Sequence, residues 1–198
     1  MRRARQGKIS LLFADASHFV MGGDFLGYIY GTVRRLVRTF SGRKRYNVLG
    51  ALDYVSKKVT SIANDTYINA TEVCEFLRKI AAEYVGKTIF VVFDNARYQR
   101  CDAVRELAKE LGIQLVFIPP YSPNLNLIER MWKFVKNRLR SKYYDQFDVF
   151  KDTIDSIVDS THTSNLEVIN RLIGRGVQLF DDLVPAAVNS FGKRKHAA

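Results

Sequence analysis

The stretch Thr88-Ile89-Phe90-Val91-Val92-Phe93-Asp94-Asn95 decides the fold. Residues 88–93 are almost continuously apolar, the pattern of a central strand covered on both faces. Asp94-Asn95 closes it with turn-forming residues. Upstream, Asn69 can cap a helix, with Glu72 three residues on. Val73, Phe76, Leu77, Ile80 and Tyr84 then recur at helical spacing until Gly86. Downstream, Val104, Leu107, Ala108 and Leu111 mark a second helix that Gly112 stops, and Gln114 to Ile118 reads as another strand. Helix, strand, helix, strand, helix is α/β order, and it implies parallel strands joined by right-handed crossovers.

Toward the N-terminus, Lys8 to Ala14 reads as a buried strand with Asp15 at its C-terminal end. Residues 26–33 and 46–55, rich in Tyr, Ile, Val and Leu, predict two further strands. These three segments form an antiparallel meander. The expected fold is therefore α/β: a mixed five-stranded sheet of three antiparallel and two parallel strands, with helices on both faces. A helical C-terminal region follows over 147–160 and roughly 165–180. No internal repeat or low-complexity segment is present.

The chain of 198 residues is about one domain long, and its 47% hydrophobic and 26% charged residues exclude disorder as the main state. Its two cysteines, Cys74 and Cys101, cannot define a disulfide framework, which points to a reducing cytosol. No apolar run approaches the roughly 18 residues of a membrane span. Asp15 cuts short the apolar stretch that follows the basic start, so a secretory signal is rejected. The net charge of +11 suggests a polyanionic partner, most often nucleic acid, with a solubilising surface as the plainer reading. The surplus is uneven. Residues 1–144 carry 25 basic and 12 acidic side chains, and residues 145–182 carry 3 and 8, so a polyanion belongs on the first part. Two basic stretches stand out: Arg34, Arg35, Arg38, Arg43, Lys44 and Arg45, then Arg130, Lys133, Lys136, Arg138, Arg140 and Lys142. The second is of one sign along a helix face, either a phosphate track or a solvated surface.

Asp15 and Asp94 both sit where a buried strand is expected to end, and in open α/β sheets ligands bind outside those ends. Two acids on neighbouring strands make a cluster of negative charge that is costly unless a cation neutralises it. Hard divalent ions take such oxygen ligands and keep positions open for phosphate. Each Asp alone also reads as a turn or cap residue. Asp24, after Gly22-Gly23, and Asp53, within a strand, are rival acids. The third piece is Ile118-Pro-Pro-Tyr-Ser-Pro-Asn-Leu-Asn-Leu-Ile-Glu-Arg-Met-Trp132. Its prolines stiffen a loop, and a helix begins near Leu125. Leu125, Ile128, Trp132, Val135 and Leu139 form that helix's packing stripe. Glu129 lies beside the stripe, and its plainer reading is an i,i+4 ion pair with Lys133. Other chemistries fail. Val85-Gly86-Lys87-Thr88 lacks the earlier glycine of a phosphate loop. His18, His162 and His196 are too scattered, and the cysteines too far apart, for a zinc site.

Phe13-Ala-Asp15-Ala-Ser-His-Phe19, Val92-Phe-Asp94-Asn-Ala-Arg97 and Pro119-Pro-Tyr-Ser-Pro-Asn-Leu-Asn-Leu-Ile-Glu129-Arg-Met-Trp132 resemble the three signature blocks of the Tc/mariner transposase superfamily. They most resemble its insertion-sequence 630 branch, including the 34 residues that separate the second and third acids. The similarity spans about residues 8–160. Leu127 stands where the family usually has Pro, and the family's upstream helix-turn-helix is absent before Asp15.

The resemblance implies a ribonuclease-H-like DDE catalytic core over 1–145, a helical extension of the same domain over 146–192 and a basic tail over 193–198. It implies that Asp15, Asp94 and Glu129 are catalytic and bind two Mg2+ or Mn2+ ions, supported by Asn95, Tyr121, Ser122, Asn126 and Trp132. DNA contacts are expected from Arg34, Arg35, Arg38, Arg43, Lys44, Arg45, Arg130, Lys133, Lys136 and Arg140. The implied activity is cut-and-paste DNA transposition: strand cleavage and strand transfer at transposon ends, into a target that is a TA dinucleotide. The implied partners are double-stranded DNA, a second copy in a homodimer and a separately encoded helix-turn-helix protein, with no membrane. The implied location is cytoplasmic, with the nucleoid if bacterial. A purely hydrolytic nuclease and an inactive DNA-binding remnant are the alternatives.

Overall fold

In the computed structural model the described residues are 1–22, 42–119, 125–140 and 142–174. A short helix α1 (Arg2–Arg5) leads into strand β1 (Ser10–Met21), which pairs antiparallel with β2 (Lys44–Asp53). Strand β3 (Val59–Asn64) pairs antiparallel with β2. Helix α2 (Ala70–Glu83) crosses to β4 (Ile89–Phe93), and α3 (Asp102–Glu110) crosses to β5 (Ile113–Phe117). β4 runs parallel to β1, and β5 parallel to β4, so the sheet order is β3-β2-β1-β4-β5. Helices α4 (Ile128–Leu139), α5 (Phe147–Asp159) and α6 (Leu166–Gly174) complete the fold.

This is the expected mixed sheet of three antiparallel and two parallel strands. One strand is a correction: β3 at Val59–Asn64 completes the meander, where the sequence reading named only 8–14, 26–33 and 46–55. Its six residues Val-Thr-Ser-Ile-Ala-Asn carry too few large apolar side chains to declare a strand. The segment 26–33 lies outside the described residues.

Alternation along β1 splits the core into two layers. Phe13, Phe19 and Met21 join Val48, Leu52 and Val92 under α4, α5 and α6. Leu12 and Ala14 join Leu49, Ala51, Val91 and Phe93 under α2 and α3. Thr88–Phe93 is thus covered on both sides, as its apolar run requires. Helix α2 starts where the sequence predicts. The Asn69 side chain accepts the Thr71 amide at 2.7 Å, and Glu72 Oε2 accepts the Asn69 amide at 3.0 Å. Such a cap is worth about 1 kcal/mol. Gly86 follows at φ +77, open to glycine without strain. Tyr46 on β2 donates its hydroxyl to Asp155 at 2.8 Å, which ties α5 to the sheet. Among the described residues no helix is long and apolar enough to cross a membrane.

Candidate active site

The register brings two of the acids together. Phe13 is the partner of Val92 in the parallel β1–β4 ladder. The same offset carried two residues onward sets Asp15 alongside Asp94. Asp15 follows Phe13 on the face that α4 covers, and Asp94, the residue just past β4, is near enough for its charge to raise the Asp15 carboxyl. Asp15 is not at a strand end, where the apolar run from Lys8 to Ala14 set it. It is the sixth of the twelve residues of β1, because pairing with β2 continues past it to Met21. Only the β4 side of the strand stops before it, and that half-open edge is where Asp94 sits.

Glu129 arrives on α4. The helix begins at Ile128 rather than near Leu125. Asn126, 1% exposed, lies just ahead of it and donates Nδ2 to the carbonyl of Ala14 at 3.0 Å. The residue before Asp15 is thereby fastened three residues ahead of Glu129. Ile128, Trp132, Val135 and Leu139 are buried as the stripe predicts, and Met131 and Phe134 widen it. Among the described residues Glu129 makes no ion pair with Lys133.

The acids feel one another. Burial first, then the negative charges of Asp94 and Glu129, push the Asp15 carboxyl up to about 7, against the lowering effect of the Ala16 amide and the Lys136 ammonium. Glu129 is raised too, first by burial and then by Asp94. The Tyr98 phenol is raised by burial and by the charges of Asp94 and Asp15, which places it in the field of the same acids. All three acids are carboxylates, the hard oxygen donors that suit Mg2+ or Mn2+, and their mutual repulsion is what a divalent ion relieves. Among the described residues no three His, Cys, Asp or Glu side chains stand close enough to ligate one ion as placed.

The fold fixes the residues that flank the acids in sequence or lie on α4. Asn95 adopts φ +79, a left-handed conformation that turns the chain directly after Asp94. Gln99, fully buried, accepts the Ala96 amide on Oε1 at 2.9 Å and holds that turn. Trp132 packs edge-on against Phe19, with ring centroids 5.9 Å apart. Among the described residues, Ser17 Oγ, Gln99 Nε2, Asn126 Oδ1, Trp132 Nε1 and Tyr144 Oη are buried without a hydrogen-bond partner. Tyr98 and Gln99 escaped the sequence reading, since neither belongs to a spacing pattern. Gly50 escaped it as well, although a glycine inside a strand is a known sign of close approach.

The rival Asp53 is a turn residue. Its carboxylate accepts the amides of Val55 and Ser56 at 2.7 and 2.8 Å. Asp24, Arg34, Arg35, Arg38, Tyr121 and Ser122 lie outside the described residues. Arg43, Lys44 and Arg45 are exposed at the start of β2, opposite the far end of β1. Lys133, Lys136 and Arg140 are exposed along α4. Lys136 also stands 5.8 Å over the Phe19 ring. Arg130 donates to the carbonyls of Leu172 and Ile173 at 3.2 and 3.3 Å, so its guanidinium serves the C-terminal end of α6. Arg138 donates to Asn165 Oδ1 at 3.2 Å.

A family model described as DDE superfamily endonuclease matches residues 10–151, which include the three acids. The fold is also similar to solved structures. For the Mos1 transposase paired-end complex with left transposon end the TM-score is 0.62 at 14% identity, over 89% of this chain and 57% of that one. For the Mos1 transposase catalytic domain with raltegravir and Mg it is 0.59 at 14% identity, over 89% and 86%. For the simian T-cell lymphotropic virus intasome it is 0.53 at 14% identity, over 76% and 47%. The chain therefore spans little more than half of the Mos1 chain in that complex. No curated protein matches the chain.

Proposed function

We propose a DNA-cutting and DNA-joining role for this chain, which belongs to the DDE superfamily endonuclease family. In this reading it is the catalytic domain of a Tc/mariner-type transposase of the insertion-sequence 630 branch. Residues 1–145 would form the catalytic core and 146–192 its extension, of which α5 and α6 are described and 175–192 lie outside the described residues. What supports the reading most is one juxtaposition inside the matched region. The β1–β4 register carries Asp15 toward Asp94, and the Asn126 clamp brings the helix of Glu129 to the same strand.

Asp15, Asp94 and Glu129 would hold two divalent ions, Mg2+ or Mn2+; a Mos1 catalytic-domain structure contains Mg. Bound there, such ions supply Lewis-acid polarisation of a scissile phosphate and activation of a water or a DNA 3′-hydroxyl. The chain's own residues set the stage. Asp15 must lose the proton that burial favours, so metal loading strengthens as pH rises through about 7. Lys136, exposed yet within reach of the Asp15 charge, is suited to a phosphate at the cluster. Lys133 and Arg140, with Arg43, Lys44 and Arg45, would track the backbone of double-stranded DNA, positioning it without reading sequence. The substrates in this reading are transposon ends and a TA target, and the working unit is a homodimer. A helix-turn-helix module, on a separate protein or beside this domain, reads the ends. The setting is the cytoplasm, or the nucleoid of a bacterium.

The test is cleavage of supercoiled plasmid carrying the element's ends, with Mg2+ or Mn2+ added to metal-free protein. Asp15→Asn, Asp94→Asn and Glu129→Gln should each lower the rate by ~10³-fold. Strand transfer in the same reactions separates a transposase from a purely hydrolytic nuclease. DNA binding without any cleavage would instead identify an inactive remnant.

A further inference from the structure

We propose that Gly50 is a positioning residue for the acid cluster: its missing side chain sets how closely α4 seats on the sheet, and hence where Glu129 stands relative to Asp15. The proposal rests on the reading of Asp15, Asp94 and Glu129 as the metal-binding set.

Gly50 is the register partner of Asp15 in the β1–β2 ladder. Residues directly opposite in such a ladder present their side chains to the same face. On that face a Cβ at position 50 would stand 2.9 Å from Trp132 Cζ2, 3.0 Å from Trp132 Cη2 and 3.3 Å from Val59 Cγ1. Side-chain carbons do not approach that closely, so something must move. Trp132 has little room to do so. It is 3% exposed, it is backed edge-on by Phe19, and Ile128, Val135 and Leu139 of the same stripe are fully buried. The relief open to a methyl group at position 50 is to lift α4 or to swing the indole out of its rotamer.

Glu129 is bracketed by two contacts on α4 and the turn before it. Ahead of it, Asn126 is tied to Ala14, the neighbour of Asp15 along the strand. One turn after it, Trp132 presses on Gly50, the neighbour of Asp15 across the ladder. Both anchors therefore refer the helix to Asp15. A displacement of 1 Å at a catalytic group can cost ~10²-fold in rate. Because Trp132 is the chain's single tryptophan, its emission reports this contact directly.

The experiment measures Mn2+ binding to the free protein by electron paramagnetic resonance, with Trp132 emission and thermal melting in parallel. The proteins are wild type, Gly50→Ala, Trp132→Phe, the double variant and Asp15→Asn. Gly50→Ala should melt cooperatively, shift the Trp132 emission and weaken Mn2+ binding about 3- to 10-fold. The double variant, with a smaller ring over the new methyl, should recover most of that loss. Trp132→Phe alone leaves a gap beneath the helix and should also weaken Mn2+ binding, which keeps the test alive if Gly50→Ala does not fold. Wild-type Mn2+ affinity in a folded Gly50→Ala overturns the proposal, as does a loss in Gly50→Ala that the double variant does not relieve, or, where Gly50→Ala does not fold, wild-type affinity in Trp132→Phe. Asp15→Asn separates the two levels. If it binds Mn2+ like wild type, the acid-set reading has failed; if it loses Mn2+ while Gly50→Ala keeps it, only the role of Gly50 has failed.

Discussion

Asn126 reaches across 112 residues of chain to donate its amide to the carbonyl of Ala14 at 3.0 Å. That bond joins the start of α4 to the strand that bears Asp15. Asn126→Ala removes the donor and leaves a buried carbonyl unpaired. The expected cost is ~1–3 kcal/mol, read by urea denaturation. Asn126→Asp, acceptor-only when ionised and an added negative charge beside the cluster, should be worse near neutral pH than at pH 5. Equal stability of wild type and Asn126→Ala would remove the clamp from the account.

The pH dependence follows from Asp15. Its folded-state value of about 7 lies above the ordinary 3.8, so the fold favours its protonated form. That contribution is complete below about pH 4 and is lost as pH rises through 7. Asp15→Asn, permanently neutral, should therefore gain on wild type as pH increases. It should melt higher than the metal-free wild type at pH 8, by ~2–4 °C for each kcal/mol of relief, and at nearly the wild-type temperature at pH 4. Melting curves at the two pH values decide the matter, and a gap that does not widen toward pH 8 would contradict it.

Metal should matter for chemistry and not for folding. Among the described residues no cysteine and histidine cluster offers a structural zinc site. A strong chelator should abolish DNA cleavage while leaving the protein folded, its melt still cooperative and lower only by the stabilisation that ion binding to the native acids supplies. Full cleavage in chelator would exclude divalent-ion catalysis.

Lys133, Lys136 and Arg140 are expected to bind phosphates. Replacing all three with Ala should lower the slope of log affinity against log salt by about one for each lost contact. Lys136→Ala alone has a second consequence. It removes a cation that lowers the proton affinity of Asp15, so the pH midpoint of Mn2+ binding should move upward. An unchanged slope in the triple variant would mark the helix face as merely solvated.

Sequence readout should be weak. The described helices serve the core, and the exposed cations carry no paired polar readers of base edges. Affinities for a terminal-repeat duplex and a random duplex should agree to well within 100-fold, or ~2.7 kcal/mol. A larger preference would show that this domain itself reads bases.

By itself the sequence determined most of the local elements and put forward Asp15, Asp94 and Glu129 as the candidate acids. The apolar run 88–93 could only be a strand covered on both faces, Asn69 with Glu72 could only open a helix, and the stripe from Ile128 to Leu139 required α4 to lie on the sheet. Those patterns are legible because each depends on neighbours within a few positions. Pairing depends on residues far apart in the chain, and that is what the tertiary structure decided. It made Asp15 an interior strand residue, since β2 pairs with β1 six residues beyond it. It turned Asp53 into a turn cap and gave Arg130 to the end of α6. It set Gly50 opposite Asp15 and beneath Trp132, a contact between segments 82 residues apart that no periodicity announces. Side-chain identity is written locally; the field that raises Asp15, and the seat that holds Glu129 near it, exist only once β1, β2, β4 and α4 share one face.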